Sequence, residues 1–488
     1  MKVLYALTFL SLCFMIPSVV LFGDDYTVQW ADTVDNGDWD GATDVAVDHS
    51  CNIVVVGTSF INGNNDYFIV KYDSSGTILW QDTLDNGNED YGEAVAVDNG
   101  DNIIVTGYSM IGGDYDYFIV KYDPGGTVLW QDILDNGGLY DIARGVAVDH
   151  RQNIIVTGYC DIGGDCVFYT VKYDSSGTLL WADTLDYGPF DSGFDVAVDY
   201  TNSIAVTGYT TSGINNDYLT VKYDSSGTLL WQDAMDIYEF DQAYGVAVDN
   251  SNSIIVTGCA GGPFDDYDFV TVKYDSSGTI LWVDTLDYED SDDVVYDVCT
   301  DDQNALYMTG YSLRLSGGYD YYTVKYDSSG TLLWQNTLDN GNHDISYGVA
   351  VDGRDHLIVT GRSHIGGDFD YYTVRYAPVQ GISGRGEVNT PSGEIECLVS
   401  PNPFSSATTI TIERLSENQN IRESELIIYD ATGRRVREIS LLPFSFCLEA
   451  IATWDGRDGE GNLVSPGVYY LTIETEGYRE TKKLIFVR

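Results

Sequence analysis

Three observations on the 488-residue sequence predict an all-β fold. Short runs rich in Val, Ile, Thr and Tyr are bounded by Gly, Asn, Asp or Ser, and no helical period competes with them. Aromatic residues make up 13% of the chain and Tyr alone counts 38, a composition that favours sheets. Finally, YDSSGTLLW recurs letter for letter at Tyr173–Trp181, Tyr223–Trp231 and Tyr326–Trp334, with near copies at Tyr72–Trp80, Tyr122–Trp130 and Tyr274–Trp282.

The repeat gives the architecture. Trp30, Trp80, Trp130, Trp181, Trp231, Trp282 and Trp334 lie 50 to 52 residues apart. Each interval holds a VAVD-like strand (a), an IIVTG-like strand (b) and a DYxxVKY-like strand (c) before the next Trp strand (d). Four strands per unit in seven units is the signature of a seven-bladed β-propeller. An open β-solenoid is the rival, although its repeats are usually shorter. The array is cut within a unit: the N-terminal end supplies only strand d, around Trp30, and the C-terminal end stops after strand c, at Tyr376. Pairing these two ends closes a ring and leaves no exposed edge, so Trp30 and Tyr376 mark the expected closure.

The YDSSGT segment reads as a structural c–d turn. Asp73 and Asp174 would accept backbone N–H groups, while Gly76 and Gly177 would supply a positive φ. The variant Asp123-Pro124-Gly125-Gly126 agrees, because Pro suits the second position of such a turn. Asp-boxes of sialidases and the repeats of quinone-dependent dehydrogenases occupy the same hairpin. They are themselves turns, so similarity to them confers no chemistry.

The unit GVAVD…NIIVTG…DYFIVKYDSSGTLLW resembles the bacterial SBBP-type β-propeller repeat over residues 26–377. That resemblance implies a secreted or surface protein and carries no shared catalytic residues.

Function is expected where the copies differ. The a–b and c–d turns are nearly constant, whereas the d–a and b–c loops vary and would emerge together on the opposite rim. On that rim Trp39, Tyr91, Tyr140, Phe190, Phe240, Tyr288 and His343 are the candidate ligand-binding residues, aromatic groups beside carboxylates that suit carbohydrate stacking. A net charge of −52 repels phosphate backbones and excludes nucleic acid as a partner. The acidity sits upstream of Pro378, where 13 Lys and Arg face 60 Asp and Glu. No cofactor is expected. Calcium is the one metal such loops would suit, yet no D-x-D-x-D-G loop occurs. The five His are scattered, and no catalytic residue stands out. The reading is a monomeric scaffold that binds an extracellular glycan or protein. The alternatives are a polysaccharide-acting hydrolase or lyase and a structural surface-layer component.

Residues 1–23 read as a signal peptide, with Lys2 followed by an apolar stretch broken at Pro17; an uncleaved membrane anchor is the rival. The propeller would span 24–377 and a Gly/Ser/Pro-bearing linker 378–394. Residues 395–488 then read as about seven strands of a small β-sandwich. Pro401-Asn402-Pro403-Phe404, Trp454-Asp455-Gly456, Pro466-Gly467-Val468-Tyr469 and Lys482-Lys483-Leu484 resemble the C-terminal sorting domain of type IX secretion cargo. That Ig-like domain is similar to one in flagellar hook-capping proteins. The resemblance implies export, surface attachment and contact with the secretion machinery. Cys160 could pair with Cys166, and Cys397 with Cys447.

Overall fold

The computed structural model describes residues 26–378, apart from 213–214, 263–266, 289–290, 315–317, 342 and 366, and most strands between residues 395 and 486. The expected signal peptide, most of the linker and the side chains of Cys397 and Cys447 lie outside the described residues. Two compact units are present, one spanning Tyr26–Gln380 and the other containing Gly381–Arg488.

Within the larger unit the strands form antiparallel sheets of four on one plan. The first sheet runs Asp40–Val47 (a), Ile53–Ile61 (b), Asn64–Tyr72 (c) and Ile78–Leu84 (d). The plan repeats from Asp90, Asp141, Asp191, Phe240 and Asp293, and a single parallel pairing of Asn216 with Phe240 joins two neighbouring sheets. The last sheet starts at Asp344 and takes its strand d from the other end of the unit. There Tyr26–Val34 pairs antiparallel with Asp368–Pro378, placing Trp30 opposite Arg375. Repeated four-stranded sheets, with no helix among the described residues, make a β-propeller.

Strands b and c are buried on both faces because each sheet is sandwiched between two others. Ile53–Val56 and Tyr67–Val70 are almost wholly buried, which is why these segments read as continuous apolar runs and not as alternation. Strand d lies outermost, with Ile78 and Leu79 exposed.

The same contacts tie each sheet to the next. The Asp73 carboxylate accepts the Ser75 and Thr77 N–H groups at 2.8 and 3.0 Å, shaping a turn in which Gly76 has φ +87°. Gly76 lies against the preceding sheet's Trp30, so close that a Cβ would sit 2.9 Å from the indole. The Trp30 Nε1–H donates to Ser74 O in that turn. Asp174 and Gly177 do the same beside Trp130. Trp334 meets no such turn, because strand c of the last sheet ends Tyr376-Ala377-Pro378, without the YDSSG sequence. The ring of Tyr26 covers it instead, at 5.1 Å.

Five of the six VKY lysines are buried and paired with the VAVD aspartate of their own sheet, as in Lys71–Asp48 at 2.8 Å and Lys172–Asp149 at 2.8 Å. Taking both charges out of water is tolerable only because further hydrogen bonds complete the set. Asp149 also accepts the N–H groups of Arg151 and Asn153, and Lys172 Nζ donates to Ser225 O of the next sheet. The exception is Lys325. In its sheet the Tyr307 hydroxyl donates to Asp301, and Lys325 Nζ lies 4.9 Å from the Tyr307 ring and 5.4 Å from that of Tyr26.

Cys160 and Cys166, a pair the sequence allowed to bridge, are both free thiols. Cys166 stands opposite Asp161, and Cys160 opposite Val167, so the two sulfurs project from opposite faces of the hairpin.

In the C-terminal unit, Ile395–Ser400, Thr408–Arg414 and Glu449–Trp454 form one sheet, and Glu425–Asp430, Arg435–Ile439, Gly467–Thr475 and Tyr478–Phe486 another. Trp454 is wholly buried, stacks edge-on against Tyr469 at 5.1 Å and donates its Nε1–H to Arg457 O.

A candidate ligand basin at the centre of the propeller

Every strand a carries a β-bulge, and the bulged residue always stands two before the first valine of the VAVD-like run. Thr43, Glu93, Arg144, Phe194, Tyr244, Tyr296 and Tyr347 are the residues skipped in the a–b register. A bulge re-aims a side chain that regular pleating would send into the sheet. Here all of these residues, half-buried, line one basin of about 320 Å³ together with Trp39 and Arg362. That volume falls within the range of small-ligand sites.

The wall of the basin is continuous. Glu93 and Arg144 pair at 3.3 Å, and Arg144 lies 5.5 Å over the Phe194 ring. Phe194, Tyr244, Tyr296 and Tyr347 follow with successive centroid distances of 4.9, 5.0 and 4.8 Å. Arg362 completes the wall, 5.4 Å from Tyr347, 5.7 Å from Trp39 and 4.8 Å from Phe369. Burial pushes the Glu93 carboxyl up, and Arg144 opposes the shift. Arg362 is held by aromatic faces, and its Nε–H has no hydrogen-bond partner. Among the described residues Arg362 forms no ion pair with a carboxylate, and its side chain lines the basin.

Next to the bulge residues in sequence lie three carboxylates, Asp44, Asp195 and Asp297, half-buried by surface yet surrounded by protein. Each bridges two sheets: Asp195 Oδ1 accepts the Val196 N–H at 2.7 Å and Oδ2 the Val246 N–H at 2.8 Å. Asp44 does the same with Val45 and Val95, and Asp297 with Val298 and Val349. Burial and the charge of Asp297 push Asp195 up to about 7. Burial pushes Asp297 to about 6, and burial with both neighbours raises Asp44. With both oxygens engaged by backbone, these groups staple strands and are poorly placed to attack a substrate.

Of the rim residues singled out by sequence, the structure places only Trp39 in the basin. Tyr91 is half-buried, stacked on Tyr108 at 4.8 Å, and its hydroxyl bonds Glu89 and Asn65. Tyr140 joins the same group through Tyr115, at 6.0 Å. Phe190 is exposed, Phe240 and Tyr288 are half-buried, and Tyr288 stacks on Tyr322 at 4.8 Å. His343 packs on Tyr319 at 5.2 Å. Several of these positions also serve through the backbone, since Trp39 O, Tyr140 O, Phe190 O and His343 O each accept an N–H from the end of a strand b. The signal missed in the sequence was the bulge position, which takes five residue types in seven copies while the VAVD-like run after it recurs.

Known families match at both ends of the chain. The secretion system C-terminal sorting domain family matches residues 398–487, and a β-propeller domain of unknown function (DUF5122) matches residues 52–78. The chain is a propeller-repeat protein with a type IX sorting tail. That tail sends it to the cell surface or the extracellular space and engages the secretion machinery. No curated protein matches it. Solved structures that resemble it include a gluconolactonase from Xanthomonas campestris (16% identity, 57% of this chain and 90% of that one, TM-score 0.33). Sqt1 from Chaetomium thermophilum is another (12% identity, 93% and 97% covered, TM-score 0.42), as is the β-xylosidase RS223 (12%, 62% and 98%, TM-score 0.35). Similarity this low carries no argument about activity.

Proposed function

We propose that the exported chain is a closed, seven-bladed propeller, residues 24–377, that binds an extracellular glycan in its central basin. Pairing of Tyr26–Val34 with Asp368–Pro378, and the hydrogen bond from the Tyr371 hydroxyl to Phe68 O, support the closure. The signal peptide (1–23), the linker (378–394) and the Ig-like surface-attachment domain (395–488) belong to the same reading, as does a monomeric state. The rim aromatics Tyr91, Tyr140, Phe190, Phe240, Tyr288 and His343 then serve as an outer contact zone around the basin.

The observation that carries the reading is the bulge set: one side chain per sheet, aimed at one cavity, with four aromatic rings in sequence and Arg362, which pairs with no carboxylate among the described residues, beside them. Sugar rings stack on aromatic faces, and guanidinium groups donate to hydroxyl or carboxylate oxygens. Isothermal titration calorimetry with cello-, xylo- and galacturono-oligosaccharides tests it. At least one class should bind, and Arg362→Ala and Tyr296→Ala should each weaken that binding tenfold or more. Binding unaffected by both variants contradicts the basin. Absence of binding by all three classes, with a protein partner cross-linking at the basin, contradicts the glycan.

A further inference from the structure

A different kind of side-chain cluster recurs between adjacent sheets. Aspartates at the start of one sheet's strand c meet aspartates from the following d–a connection. The groups are Asp35/Asp40/Asp370, Asp66/Asp85/Asp90, Asp114/Asp116/Asp135, Asp217/Asp236/Asp241 and Asp320/Asp339/Asp344, each with carboxylate oxygens within 4.8 Å of one another. Clustered acids alone need not hold anything. At the first group a further fact points to a ligand: Asp370 is only 3% exposed, and its carboxylate lies in the cluster with Oδ1 lacking any hydrogen-bond partner. Asp40 beside it is fully buried and already accepts the Asn36 N–H at 2.7 Å and the Ser59 hydroxyl. Asp35 is the exposed member and faces solvent.

Two members of the series differ in charge. At Asp320/Asp339/Asp344 the chain supplies its own cation, since Arg314 pairs with Asp320. At the interface where strand c begins Asp165-Cys166-Val167, Val167 occupies the position of the third acid, and no such group forms among the described residues.

We propose that Asp35, Asp40 and Asp370 bind a calcium ion. The donor set is all carboxylate oxygen, which selects hard cations, and calcium tolerates the irregular, partly solvated shell that one exposed ligand leaves. The three ligands come from three segments that meet where the N-terminal strand joins the last sheet: Asp35 just after Tyr26–Val34, Asp40 at the start of the first sheet, and Asp370 in Asp368–Pro378. A bound ion therefore clamps that junction.

The test uses the full chain stripped with EDTA at pH 7.5. Calorimetric titration with calcium chloride should show saturable binding, and calcium should raise the melting temperature by several degrees relative to sodium chloride of equal ionic strength. Asp35→Asn, an exposed change that spares the fold, should lower the stoichiometry by one and reduce the thermal shift. Asp38→Asn, an exposed neighbour outside the cluster, should change neither. Two outcomes overturn the site: no calcium-specific shift, or equal effects of Asp35→Asn and Asp38→Asn, which would mark diffuse counter-ion binding to a highly charged surface.

Discussion

The Asp195 carboxylate accepts the Val246 N–H of the neighbouring sheet at 2.8 Å while its other oxygen holds Val196 of its own. This makes a charge near the propeller axis into a staple between sheets, at an electrostatic cost. Asp195 is pushed up to about 7 and Asp297 to about 6, by burial first. Between about pH 4 and 7 the folded chain therefore retains protons that the unfolded chain has released, and stability falls as pH rises through that window. In EDTA, the urea midpoint should be higher at pH 5 than at pH 8, and Asp195→Asn should flatten the difference. The buried Lys–Asp pairs act only at lower pH, since their lysines hold Asp48 and Asp149 below the usual carboxylate range.

Gly76→Ala should destabilise the propeller by about 1–3 kcal/mol, combining a left-handed backbone with a clash against Trp30. Gly353→Ala, where a Cβ meets nothing within 4 Å, should be nearly neutral in the same urea titration.

Two lysines of the same motif should respond differently. Lys172→Met strands the buried Asp149 carboxylate and should cost about 3–5 kcal/mol in denaturant unfolding. Lys325→Met removes a cation that faces the Tyr26 and Tyr307 rings, and should cost about 0.5–2 kcal/mol.

The strands were legible in the sequence because sheets packed on both faces demand continuous Val and Ile runs, and their turns demand Asp and Gly at fixed offsets. The buried Lys71–Asp48 pairing was not, since both residues recur and recurrence alone does not say that two strands bring them together. The basin was missed for a related reason. Tyr244, Tyr296 and Tyr347 stand beside variable loop residues in the sequence, and only the bulge reveals that they point to the axis. Tyr140 and Phe190, chosen for their loop positions, are exposed on the rim.

Hydroxyl-radical footprinting of the full chain, with and without its tightest-binding oligosaccharide, tests binding in the basin. Ligand should protect Tyr244, Tyr296, Tyr347 and Trp39 while leaving Tyr200, exposed in an a–b turn, as reactive as before. Protection confined to Tyr140, Tyr187 and Phe190, with the four basin residues unchanged, would contradict it.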